Sequence, residues 1–137
     1  MGWQAVKITA DTNVLLRAIT EDHATQSKAA QAVLQKAATV AISILALCEL
    51  VWILSQGYKI GPSDIAGTIR RLLNGANVVV NLPAVEAGLA LLDAGGDFAD
   101  GVIAYEGNWL GADTFVSFDK KAVKLLEVQG GSARLLS

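Results

Sequence analysis

Apolar positions along the chain fall into short β-like runs separated by longer stretches with helical spacing. Val6 to Ala10 reads as a first strand, followed by helices over 13–19 and about 24–38. Thr39 to Ser43 reads as a second strand. Ile44 to Gln56 is apolar on nearly every side and too long for an ordinary strand, so it predicts a buried helix. Gly57 and the Gly61-Pro62 pair break the chain there, and a helix from Pro62 or Ser63 to Leu73 follows. Asn77 to Asn81 is a third strand, and a helix starting at Pro83 stops at Gly95-Gly96. The pattern then predicts a helix over 97–110, a fourth strand over 114–117, a helix over 120–126 and a fifth strand over 133–136.

Strands alternating with helices imply an α/β fold: a parallel sheet covered by helices on both faces. No linker, repeat or low-complexity stretch interrupts the pattern, so residues 1–137 are expected to form a single domain. In such folds ligands bind beyond the carboxyl ends of the strands, which says where chemistry is to be sought.

Composition narrows the picture. Hydrophobic residues make up 53% of the chain and charged ones 18%, so part of the apolar surface is expected to be covered by a partner. No run is long enough to cross a bilayer, and Met1 to Ala10 lacks the layout of a signal peptide. Cys48 is the only cysteine, which fits a reducing compartment; a cytoplasmic location is expected. The formal net charge of −2 is unusual for a nucleic-acid binder, so a grip on a polyanion would need local basic clusters or a bound metal. Arg70-Arg71 and Lys120, Lys121 and Lys124 are candidate phosphate contacts, or simply solvated helix faces.

Four acids stand in apolar surroundings. Asp11 ends the first strand and Asp119 follows the fourth. Glu49 is the only charge between Lys36 and Lys59, and Asp100 lies in the first turn of the helix after Asp97. Ionised carboxylates brought together repel one another, so such a set must protonate, pair with cations or bind metal. An all-oxygen set suits a hard cation, Mg²⁺ or Mn²⁺, whose coordinated waters have a lowered pKa. Each acid also has a simpler reading. Asp11 and Asp119 can be helix caps, Glu49 can pair with Arg17, and Asp100 can be the dipole acid of a helix capped by Asp97. His23, the only histidine, reads as a surface residue, so a two-histidine ribonuclease mechanism is out of reach.

The segments DTNVLLR, ISILALCELVWIL, GGDFADGVIA and DTFVSFDKKA, in this order and spacing, resemble the motifs of PIN-domain ribonucleases of the VapC toxin type. The resemblance spans nearly the whole chain. It implies a three-layer fold with about five parallel strands and an acidic pocket holding Mg²⁺ or Mn²⁺. It carries the catalytic and metal-binding roles onto Asp11, Glu49, Asp100 and Asp119, and supporting roles onto Thr12, Asn13 and Ser117. It further implies an RNA substrate, a homodimer, and a small VapB-like antitoxin that blocks the pocket. Local capping is the simpler reading of Thr12 and Ser117. Gly101 stands where similar proteins often carry alanine, and it weakens its helix by roughly 0.5–1 kcal/mol. Glu106 is either a further acid or a solvated residue.

Other classes fit less well. A signalling receiver would carry an Asp where the third strand ends in Asn81, and a haloacid-dehalogenase-like phosphatase would carry DxD where this chain has Asp11-Thr12-Asn13. A non-catalytic PIN-like module binding RNA or protein remains the alternative to an enzyme.

Overall fold

A computed structural model describes residues 2–137. The chain forms two compact units, Met1–Asn81 and Leu82–Ser137.

In the first unit, β1 (Lys7–Thr9), β2 (Thr39–Ala41) and β3 (Val78–Val79) pair in parallel in that order, with Ile8 opposite Val40 and Val40 opposite Val78. Parallel neighbours need crossover connections. Here they are α1 (Thr12–Thr20) with α2 (Ala24–Lys36), then α3 (Ile44–Trp52) with α4 (Pro62–Leu73). A π-helical turn, Ile53–Gly57, continues α3. Leu15, Val40, Leu47, Leu50, Leu54, Ile65 and Ile69 are fully buried. The Asn77 amide donates to the carbonyls of Leu34 and Ala37, both at 2.9 Å, and so ties the start of β3 to the end of α2.

The second unit contains α5 (Leu82–Asp93), α6 (Phe98–Trp109), β4 (Thr114–Ser117), α7 (Lys120–Val128) and β5 (Ser132–Leu135). β4 and β5 pair in parallel, with Phe115 opposite Ala133. Leu91, Val123, Leu126 and Ala133 form one core cluster, with Phe115 and Leu125 packed against it, and Val85 and Phe98 are also fully buried.

The α/β class and the parallel pairing stand as the pattern predicts, but the hydrogen-bonded ladders are a sheet of three strands and a sheet of two, not one sheet of five. β1, β2 and β3 are also shorter than the apolar runs that announce them, while β4 and β5 keep their expected lengths. Helices begin almost at once after β1, β2 and β4, at the capping residues Asp11, Ser43 and Asp119. A capping side chain commits the backbone to a helix and cuts the ladder short.

The expectation of a buried α3 needs correction. Leu45, Glu49 and Trp52, spaced four and three apart, share one exposed face, with Leu45 68% and Trp52 66% exposed. The opposite face, Leu47, Leu50 and Val51, is in the core.

Candidate active site

The acids at the strand ends begin as caps. Asp11 Oδ1 accepts from the Val14 amide at 2.9 Å and starts α1. Asp119 Oδ1 accepts from the amides of Lys121 and Ala122, at 2.9 and 3.2 Å, and starts α7. Each of these caps uses a single carboxylate oxygen, so capping and a second role are compatible. Ser117 Oγ accepts from the Asp119 amide at 2.9 Å, which fixes the turn between β4 and α7. Its contact is the local one.

Thr12 departs from local capping. Its hydroxyl donates to Glu49 Oε1 at 3.0 Å, across 37 residues of sequence, and so joins the first turn of α1 to the exposed acid of α3. Glu49 therefore has a fixed orientation beside the Asp11 turn. The Arg17 ion pair considered for it does not form; Arg17 instead binds Asp22 at 2.9 Å. Asn13 is exposed on the first turn of α1.

In the second unit Asp97 caps α6, accepting from the Ala99 amide at 3.1 Å. Asp100 follows one turn later and is half-buried. Burial pushes its carboxyl above the ordinary value, and the negative charges of Asp97 and then Asp119 push it the same way. The structure thus links Asp11, Thr12 and Glu49 in one unit, and Asp97, Asp100 and Asp119 electrostatically in the other. Among the described residues, no three His, Cys, Asp or Glu side chains gather into a group that could hold a metal ion. The donors are nonetheless all oxygen, and Asp100 carries a charge at a disadvantage that a nearby cation would reverse. Both features fit a hard divalent ion in chemical type.

Gly101, next to Asp100, has a role that helix propensity alone does not show. A Cβ there would collide with the backbone of Ala87 and reach 3.0 Å from Gly88 Cα. One turn away, a Cβ on Gly88 would lie 2.6 Å from the Phe98 ring. The two glycines let α5 and α6 touch almost backbone to backbone, and that contact sets the height at which Asp100 stands. The signal lay in the paired glycines, which periodicity reads only as weak helix.

His23 is exposed and caps α2, its Nδ1 accepting from the Gln26 amide at 3.2 Å. A groove of about 420 Å³ in the second unit is lined by Tyr105, Asn108 and Phe115 among others, and none of the four acids lines it. Glu106, Arg70, Arg71 and the three lysines of α7 are exposed.

β1 and β4 each lead into a helix capped by an acid, Asp11 and Asp119, and Thr12 orients a further acid, Glu49, in a parallel α/β fold. A model of the PIN domain matches residues 8–125, and the chain belongs to that family. PIN domains are in general nucleases, usually use divalent metals, and bind nucleic acid. Among the curated proteins compared, none matches this chain. No helix among the described residues is long and apolar enough to cross a membrane.

Proposed function

We propose that this chain is a Mg²⁺- or Mn²⁺-dependent endoribonuclease, the cytoplasmic toxin of a VapBC-like pair, acting as one domain over residues 1–137. Asp11, Glu49, Asp100 and Asp119 would be its catalytic and metal-holding acids. The observation that carries this reading is the Thr12–Glu49 hydrogen bond. It orients an exposed carboxylate, on a helix otherwise apolar, beside the first motif acid.

The metal, when bound, supplies acidification of a water nucleophile and screening of phosphate charge. The chain's own residues do the positioning. Thr12 holds one Glu49 oxygen, Ser117 holds the Asp119 turn, and the Gly101 contact holds Asp100. His23, whose Nδ1 is engaged in a cap, leaves the chain without the acid–base pair that would activate a 2′-hydroxyl. Cleavage products should therefore carry a 5′-phosphate and a 3′-hydroxyl, and cleavage should stop in EDTA. End mapping of total RNA cut with and without Mg²⁺ tests this. Cyclic phosphate ends, or full activity in EDTA, would refute it, and RNA binding without cleavage would favour a non-catalytic module.

The exposed Leu45, Trp52, Trp109, Leu110 and Phe118 support covered surface in a homodimer or under an antitoxin. The antitoxin would present Arg or Lys to the acids. Co-expression with the neighbouring small open reading frame should relieve growth arrest, and a wild-type chain expressed without that frame and harmless in a host where its RNA target is present would count against the toxin role.

A further inference from the structure

Away from the acids, one carboxylate organises the far end of the first unit. Asp22 Oδ1 accepts from Arg17 Nη1 and from the Thr20 hydroxyl, each at 2.9 Å, and Oδ2 accepts from the Tyr58 hydroxyl at 2.6 Å. Arg17 is itself held by Gln26, its Nε donating to Oε1 at 3.0 Å. Asp22 follows the C-terminus of α1, and Tyr58 follows the π-helical turn that ends α3. The Tyr58–Asp22 bond thus spans 36 residues and joins the chain just beyond the C-terminal ends of the two helices that Thr12 and Glu49 also join.

The backbone around this bond is strained on both sides. Glu21, just before Asp22, and Lys59, just after Tyr58, are the two non-glycine residues with positive φ among the described residues, each at 56°. Such conformations persist where surrounding contacts over-determine them, and they cluster where geometry matters. The π turn between Glu49 and Tyr58 is a second departure from regular helix, of a kind often found beside functional sites.

We propose that Tyr58 and Asp22 form a latch that fixes α3 against α1 and so holds Glu49 in register with Thr12. Both are then positioning residues for the nuclease site, and the inference rests on the reading that Glu49 belongs to that site. The latch is constitutive. The hydrogen bonds from Tyr58 and Thr20, with the charge of Arg17, hold the Asp22 carboxyl down at about 2, so it stays ionised across any ordinary assay range.

The test compares Tyr58→Phe and Asp22→Asn with the parent chain in two measurements. The first is hydrogen exchange of the α3 amides, which needs no substrate. Tyr58→Phe should speed exchange over Cys48–Ser55, and Asp22→Asn, which keeps an oxygen for Arg17 and Thr20, should do so less. Unchanged exchange in Tyr58→Phe would overturn the latch. The second is cleavage of a labelled single-stranded RNA. Loss of one hydrogen bond to a charged acceptor should lower kcat about fivefold and leave KM within about twofold. In a Thr12→Val background the same substitution should have little further effect, because the bond it aligns is already gone. Full additivity of the two substitutions would overturn the proposal. Glu49→Gln separates the two levels. An active Glu49→Gln enzyme overturns the site reading and the positioning role with it, whereas an inactive one beside a normal Tyr58→Phe enzyme overturns the latch alone.

Discussion

Replacing Gly101 with alanine should destabilise the protein, although alanine is the better helix former. The substitution gains about 1 kcal/mol in helix propensity. Against this, the new methyl group would meet the Ala87 carbonyl in α5 and approach the Ala87 carbonyl carbon at 2.9 Å. These are backbone atoms, so no rotamer change relieves the contact and the helices must move apart. Overpacking of this sort costs about 1–3 kcal/mol. Contact with backbone atoms puts this one in the upper part of that range, about 2–3 kcal/mol, so the net expectation is a loss of about 1–2 kcal/mol, a fall in Tm of roughly 3–8 °C for a chain of this size. Gly107→Ala is the matched control. It lies on the same helix with nothing within 4 Å of the added carbon, so it should gain up to about 1 kcal/mol. Thermal and urea unfolding of the two variants would be measured together. Because Asp100 is the next residue, Gly101→Ala should also lose cleavage activity where Gly107→Ala keeps it. A Gly101→Ala variant as stable as Gly107→Ala would refute the claim that α5 and α6 touch through this glycine.

The capping geometry separates chemistry from stability at Asp11 and Asp119. Asparagine caps as well as aspartate, so Asp11→Asn and Asp119→Asn should abolish cleavage at nearly unchanged Tm, while the alanine variants should also lose about 1 kcal/mol. At Asp100 the raised carboxyl means that the folded state holds its proton more tightly than the unfolded chain does. The ionised group therefore opposes folding at neutral pH, and the handicap fades as pH falls through the raised value and below 3.8. Asp100→Asn should then be the more stable protein at pH 7 and equal to the parent near about pH 3; a lower Tm at pH 7 would contradict this. Asp97→Ala should lose about 1 kcal/mol from its cap, offset in part by relief of Asp100, and should retain activity. Both effects are readable from melts in chelator.

The order and type of the elements were written in local pattern. Thr114–Ser117 was bounded to the residue, and Gly61-Pro62 and Gly95-Gly96 marked their breaks, because turn chemistry and periodicity act over a few neighbours. The same locality made Asp11, Asp97 and Asp119 recognisable as caps. What depended on distant partners was not legible. The sequence shows Glu49 among apolar residues but not which face of α3 turns outward, since a helix apolar on most sides has no preferred face until it meets its neighbours. That Arg17 would choose Asp22 and leave Glu49 to Thr12 was settled across 5 and 37 residues of separation by the packing of α1 on α3. Gly101 looked like a weakness in its own helix. Only the backbone of Ala87, fourteen positions earlier and pressed against it by the fold, makes the missing side chain a requirement.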